Sequence, residues 1–357
     1  MQKKVGVVLV NYKTYVNRFL DECRDSLRIQ DYPKELVNVY VVDNASSQES
    51  IDYIKNSYPE AIIVPRPDGN YSAANNAGIR AAVADGCEYF IIANMDVKYH
   101  GSWLSALVKG FESAPNIGIA QSKVLLYPQN EEEWKAPKIN TLGNIMHFLG
   151  FGFTSAYKEN DREIAGYPEI TGYASGCSFI TSKEVIEKIG MYDEEYYMYH
   201  DDVEMSWRVR LAGYKLILVP DSIIYHKYEF GRSVMMIYYM ERNRYLAMLH
   251  YYHPITLILI APAALVMECG MIAYAVLNKW WDAKFKAIKY FWKLDSWKKI
   301  YHKRKQVAKF RKLRDRDLIK SFEGRVLFQE IANPILNYLV NPMMNIYWKI
   351  IRSIIVW

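Results

Sequence analysis

The sequence predicts an α/β protein, a sheet flanked by helices, followed by a helical, membrane-associating C-terminal region. Short β-branched runs alternate with helix-period segments from the N-terminus onward. The runs are continuously apolar, as strands covered on both faces of a parallel sheet are. After Tyr251 the composition changes to one long apolar stretch and then a basic cluster.

Taken in order, residues 5–10, 37–42, 61–64 and 89–93 read as strands, and 15–27, 48–57, 72–84 and 103–113 as helices. Further on, 178–181 and 215–219 read as strands, and 202–212 as a helix stopped by Gly213. The apolar run near the N-terminus is too short for a signal peptide and reads as the first strand, so the expected compartment is the cytosol.

In open α/β sheets ligands gather at the carboxyl ends of the strands. Those ends carry Asn11, Asp43, Arg66, Asp68, Asn94 and Asp96, each able to bond a base, a ribose or a metal-bound phosphate. Any one of them alone reads as an ordinary turn or cap residue; together they point to a site. Asp96, directly after a buried strand, could hold Mg²⁺ or Mn²⁺, which bind oxygen and bridge protein to phosphate. A second acidic group, His200-Asp201-Asp202-Val203-Glu204, opens a helix. Adjacent carboxylates on a helix point about 100° apart, so one of the two aspartates faces the cleft, where it could take a proton from an acceptor hydroxyl. The competing reading is a helix start with acids favoured by the dipole and an i,i+4 pair, Glu204–Arg208. His226, expected beyond a strand end, is a candidate metal or diphosphate contact.

Four scattered cysteines lack zinc spacing and argue against a disulfide framework. Charge is uneven: residues 279–316 hold fifteen Lys and Arg against three acids, although the whole chain is only +6. A basic tail on an acidic body suggests an anionic surface as partner.

Together VVLVNYK, VVDNASSQ, NYSAANNAG, NMD, VPDSIIYH and above all the stretch from Ser175 to Tyr214 resemble glycosyltransferase family two. Its rhamnosyltransferase-like members are the most similar, and the match covers most of residues 5–251. The resemblance implies a GT-A fold, a mixed sheet flanked by helices, as a catalytic domain over 1–250, with a membrane-associating region over 251–357. It implies that Asn11 and Asp43 contact the nucleotide, and that Asn75 and Asn76 lie near the nucleotide-sugar. Asp96 looks like the last, metal-binding residue of the DXD motif, with Asn94 in place of its first acid. Asp202 matches the family's catalytic aspartate, with Asp201 in the place of the preceding glutamate. His226 matches a histidine that approaches metal or diphosphate. Asp68-Gly69-Asn70 departs from the family's usual Asn-x-Gly. The activity implied is inverting, metal-dependent transfer of a sugar from a nucleotide-diphosphate donor.

Residues 255–277 are long enough to span a bilayer and end on Trp280 and Trp281. A crossing would place the basic cluster opposite the body, against the cytosolic preference of Lys and Arg. Pro262 is expected to break the segment into two short helices, and Glu268 opposes burial in lipid. The expectation is therefore a monotopic enzyme on the cytosolic membrane face, its basic cluster on anionic lipid and its acceptor a lipid-linked glycan. A second crossing by 331–357, or a buried helix of a soluble oligomer, are the alternatives.

A nicotinamide dehydrogenase would need a glycine-rich turn after the first strand, and VNYKTY has none. Nucleic acid fits the basic cluster less well than lipid does, given the apolar run before it. A non-catalytic, membrane-associated scaffold or nucleotide-binding protein is the remaining alternative.

Overall fold

The structure, a computed structural model, describes residues 2–229, 234–327 and 334–357. Residues 331–333 of the expected second apolar stretch, and Met1 and 230–233 of the expected catalytic domain, lie outside the described residues. The strands are β1 (Val5–Tyr12), β2 (Val37–Asn44), β3 (Ile62–Arg66), β4 (Tyr89–Ala93), β5 (Val97–Tyr99), β6 (Ile117–Leu126), β7 (Ile139–Thr141), β8 (Asn144–Met146), β9 (Gly152–Thr154), β10 (Ser178–Ser182) and β11 (Lys215–His226). One sheet runs β3-β2-β1-β4-β10-β6-β11-β5, with β7 beside β6, and β8 and β9 form a separate hairpin.

The first four strands are parallel, as their apolar runs predict. The sheet then becomes mixed: β10 is antiparallel to β4 and β6, β11 is parallel to β6, and β5 is antiparallel to β11. β6 escapes a reading by pattern because Gln121, Ser122 and Lys123 interrupt its apolar run while remaining buried. β11 runs on through Pro220 to His226, so His226 ends a strand rather than following one.

Strand periodicity divides β1 between two cores. Val5, Val7 and Leu9 pack with the Val16–Arg28 and Trp103–Phe111 helices, and Val8 packs with Tyr71–Ala84. That last helix lies so close that a Cβ on Gly78 would meet Val8 at 2.4 Å, which is why glycine stands there.

The C-terminal helices share an apolar cluster with the body, joining Phe148, Trp207 and Tyr251 to Met267 and Trp348. Pro254–Leu277 is one unbroken helix, contrary to the expected break at Pro262. Pro262 and Ile258 both lie on its exposed side, so the hydrogen bond that proline removes is lost where nothing packs. The buried stripe of this helix, Thr256, Ile260, Ala263, Met267 and Ala275, runs its whole length, so the helix lies flat along the body. Glu268 is paired with Lys284 at 2.8 Å and with Arg244 at 3.7 Å. Much of the basic cluster also turns inward: Lys299 pairs with Glu195, Lys303 with Asp193 and Glu204, and Arg304 donates to the Leu249 carbonyl.

Candidate functional site

The carboxyl ends of the parallel strands β1, β2 and β4 lie on one edge of the sheet, and polar contacts tie the β4 end to the end of β11 and to the start of the Asp201–Leu211 helix. At the floor of this site β1 and β2 are in register with Asn11 opposite Asp43. Asn11 Nδ2 donates to Asp43 Oδ1 at 2.6 Å and to the Lys13 carbonyl, while its Oδ1 accepts from Val16 N–H. The Ser50 hydroxyl donates to Asp43 Oδ2 at 2.7 Å. Both side chains are fully buried and hold the strand ends to the helices that follow. Arg66 pairs with the exposed Asp68 at 2.7 Å, leaving its buried Nε without a partner.

Asn75 and Asn76 part company. Asn76 turns to the segment before the acidic helix, donating to the Tyr192 carbonyl and Glu194 and accepting from Tyr192 N–H at 2.9 Å. Asn75 is also buried, but its Oδ1 has no partner.

Asp96 sits at the turn between β4 and β5, its Oδ2 3.4 Å from His226 Nε2 and its buried Oδ1 without a partner. Asn140, on β7, accepts from His226 Nδ1 at 2.9 Å, which leaves Nε2 facing the carboxylate. A neutral imidazole would then point a lone pair at an anion, so the gap calls for a proton or a cation. Burial lowers the affinity of His226 for a proton, but the neighbouring Cys177 and Asp96 raise it well above the usual histidine range. Burial likewise pushes Asp96 up, and His226, together with the Tyr15 side chain and a backbone N–H, more than reverses it, holding that carboxyl below its ordinary value. An orphaned carboxylate oxygen beside an imidazole fits Mg²⁺ or Mn²⁺, whose remaining positions go to water and phosphate oxygens. Among the described residues no three His, Cys, Asp or Glu side chains converge as a ready-made metal site.

The Ser175–Cys177 segment links this pair to the acidic helix. Cys177 lies 3.6 Å from His226 Nδ1, its carbonyl accepts from Asn94 N–H, and Asn94 Nδ2 reaches its sulfur at 3.7 Å. Next to it Gly176 N–H donates to Asp202 Oδ2 at 3.4 Å, and Val203 N–H to Oδ1 at 2.8 Å. Burial raises Asp202, against those backbone donors, and raises Asp201 with help from the charge of Asp202. Asp201 is buried and Asp202 partly open, so one of the two carboxylates faces outward.

What precedes them was not legible. Tyr197, Tyr199 and His200 all have positive φ, at 64°, 60° and 59°. Such conformations cost about 1–3 kcal/mol each and persist only where surroundings impose them. Asn243, on the Val234–Tyr251 helix, imposes them by donating to the carbonyls of Tyr196, Met198 and Tyr199 at 2.7–2.9 Å. Nor is Glu204–Arg208 an ordinary surface pair. It is fully buried and bidentate, at 2.6 and 2.7 Å, and Arg208 also donates to the carbonyls of Ile189, Gly190 and Met191.

The model of "Glycosyl transferase family 2" matches residues 6–190, just over half of the chain. The chain belongs to this family. It is therefore a glycosyltransferase, and the mixed sheet with flanking helices is the GT-A fold. It is 26% identical over 208 residues to an N-acetylglucosaminyl-diphospho-decaprenol L-rhamnosyltransferase of Mycobacterium tuberculosis, covering 54% of this chain and 67% of the relative. It is 24% identical over 252 residues to the low-salt glycan biosynthesis hexosyltransferase Agl10 of Haloferax volcanii, covering 69% of this chain and 76% of that protein. The crystal structure of GalNAc-T7 with UDP, GalNAc and Mn²⁺ superposes with a TM-score of 0.52 at 15% identity. That match covers 71% of this chain but only 48% of GalNAc-T7, and it speaks for the fold alone.

Proposed function

We propose that this family member is a divalent-metal-dependent, inverting glycosyltransferase, moving a hexose-type sugar from a nucleoside-diphosphate donor to a hydroxyl of a lipid-linked glycan. The carrying observation is one continuous rim: Asp96 and His226, then Cys177 and Gly176, then Asp202. In this reading Asn11, Asp43, Arg66, Asp68, Asn75, Asn76 and Asn94 form or brace the donor site. Asp96 and His226 would hold Mg²⁺ or Mn²⁺, which would offset charge gathering on the departing diphosphate. Asp202 takes the acceptor proton as the acceptor oxygen bonds the anomeric carbon. The bond from that carbon to the diphosphate oxygen breaks, and displacement from the opposite face inverts the centre. Burial keeps the base's affinity for a proton high, and Asp201 behind it holds its own proton against the charge of Asp202. The cleft's fixed walls supply proximity.

The acceptor class is supported by the decaprenol-linked substrate in the name of the mycobacterial relative. It is also supported by the Pro254–Leu277 helix, among the described residues the one long and apolar enough to cross a membrane. Because that helix is packed lengthwise on the body and Glu268 is ion-paired, the reading is in-plane insertion on the cytosolic face, not a crossing.

Thermal titration of the detergent-purified protein with UDP, dTDP and GDP, with and without Mn²⁺, tests the reading. A metal-dependent rise with one nucleotide, lost in Asp96→Ala, is expected. A folded protein with no rise for any of them would turn the reading toward a non-catalytic scaffold.

A further inference from the structure

The inward turn of the 279–316 cluster raises the question of which cations remain free for a membrane. A cleft of about 570 Å³ lies between the 320–325 segment and the Asn341–Ile354 helix. Its walls carry Lys320, Arg325, Lys349 and Arg352 against a single carboxylate, Glu323, over Trp348. Lys320 is exposed and its single contact with Asp317, at 3.1 Å, can exchange partners at little cost, whereas Arg325 is held more firmly, bidentate on Glu323 at 3.0 and 3.1 Å. Lys349 has no ion-pair partner among the described residues, and Arg352 is tied only through Nη1, to the Lys320 carbonyl at 2.9 Å.

The same helix has a second, apolar side. Met343, Ile346, Ile350 and Ile354 follow helical spacing and are 51–62% exposed. Tyr347, next to them, donates to the Leu259 carbonyl of the Pro254–Leu277 helix at 2.6 Å. That helix shows Ile258, Leu265, Val266 and Val276 to the outside, 58–69% exposed. The two helices are joined at this contact, and Lys349, three residues after Ile346, stands at the border between the apolar side and the cationic cleft. Apolar surface beside clustered cations is the arrangement that meets acyl chains and anionic headgroups together.

We propose that this cleft binds the phosphate of an anionic phospholipid in the membrane on which the enzyme lies. The proposal rests on the membrane reading above and adds a defined lipid site outside the 279–316 cluster. Phosphate oxygens accept from Lys349 and Arg352, Lys320 turns to them from Asp317, and Arg325 adds its charge from its place on Glu323.

The test is co-sedimentation of the full chain with phosphatidylcholine vesicles, with and without phosphatidylglycerol. Removing cleft charge in Lys349→Gln/Arg352→Gln should weaken binding to the anionic vesicles roughly fivefold per charge, and leave neutral vesicles unaffected. Ile346→Asp/Ile350→Asp should weaken binding to both kinds. In Lys289→Gln/Lys293→Gln, which alters exposed members of the other cluster, binding should change much less. An equal loss in that control, or none in the cleft variant, would overturn the site and leave the membrane reading standing. Failure of the unaltered chain to bind any vesicle would overturn both. The metal-dependent nucleotide shift, measured on each variant, should be unchanged and separates these outcomes from loss of the donor site.

Discussion

The floor of the site and the rim proposed to react differ in how their polar groups are satisfied. On the floor, Asn11, Asp43 and Ser50 spend their hydrogen bonds on one another and on backbone, and Asn76 on Glu194 and backbone, although Asn75 Oδ1 and Arg66 Nε beside them lack partners. On the rim, Asp96 keeps a buried oxygen without a partner, a buried aspartate stands next to a partly open one, and three residues hold positive-φ backbone. A saturated group can position a ligand through the shape it maintains. An unsatisfied one is stabilised only when a ligand, cation or proton arrives. The difference teaches where chemistry is to be sought: at the groups the fold leaves short of partners.

The largest effect should come from the rim. Asp202→Asn keeps the shape and removes the base, so turnover should fall about 10²–10⁴-fold with donor binding retained. Initial rates alongside nucleotide thermal shifts measure the two separately. Wild-type-like rates would assign the base elsewhere and erase the rim's distinction. The next effect is one of stability beneath the rim. Arg208→Met leaves Glu204 buried against Lys303 without its bidentate partner. A loss of about 3–5 kcal/mol is expected in chemical denaturation, and a loss under about 1 kcal/mol would make Glu204–Arg208 worth no more than an ordinary i,i+4 pair.

The two regions also differed in how far they could be read from sequence. The four parallel strands were legible because each is an apolar run ending in a polar residue, and Tyr89–Ala93 has the expected bounds. The acids of the rim were legible as a pattern, but not the loop that presents them. Positive φ at Tyr197 and Tyr199 carries no local signal, since tyrosine does not favour it, and at His200 only the weak one of a residue type that adopts it more readily. Its cause, Asn243, lies more than forty residues away in a helix that reads as ordinary. Asn140 was missed for the same reason: only β7 pairing on β6 brings it to His226. The basic cluster was legible as charge, yet the sequence could not say that Lys284 and Lys303 serve buried acids.

Asn243 therefore offers a smaller but more specific test. Asn243→Ala removes a donor to three carbonyls of the strained loop. A stability loss of about 1–3 kcal/mol is expected, with kcat falling and donor KM rising together, because the loop leads into Asp202 and also bonds the donor side, where the Tyr197 carbonyl accepts from Ser72 N–H and its hydroxyl donates to the Asp68 carbonyl. A fall in kcat with donor KM unchanged would mean that the loop holds the rim alone.

The smallest effect is a displacement in pH. Burial lifts Asp202, and burial with the charge of Asp202 lifts Asp201, so the pair releases its protons above the ordinary aspartate value of about 3.9. Asp202 works ionised, so activity should rise with pH through the raised value, giving an acid limb later than a solvent-exposed carboxylate would. Stability should move the other way. A carboxyl that holds its proton more tightly folded than unfolded contributes stability fully below the unfolded value, and that contribution is lost as pH climbs through the folded one. Between the two values the enzyme thus gains activity while giving up stability. Asp201 keeps its proton against the charge of Asp202 and is neutral while Asp202 titrates, so Asp201→Asn should leave the acid limb of kcat in place. Profiles of kcat and of thermal midpoint, taken on both proteins, measure the two trends. A limb displaced toward lower pH would mean that Asp201 carries charge beside Asp202, and that burial alone does not set the rim apart from the floor.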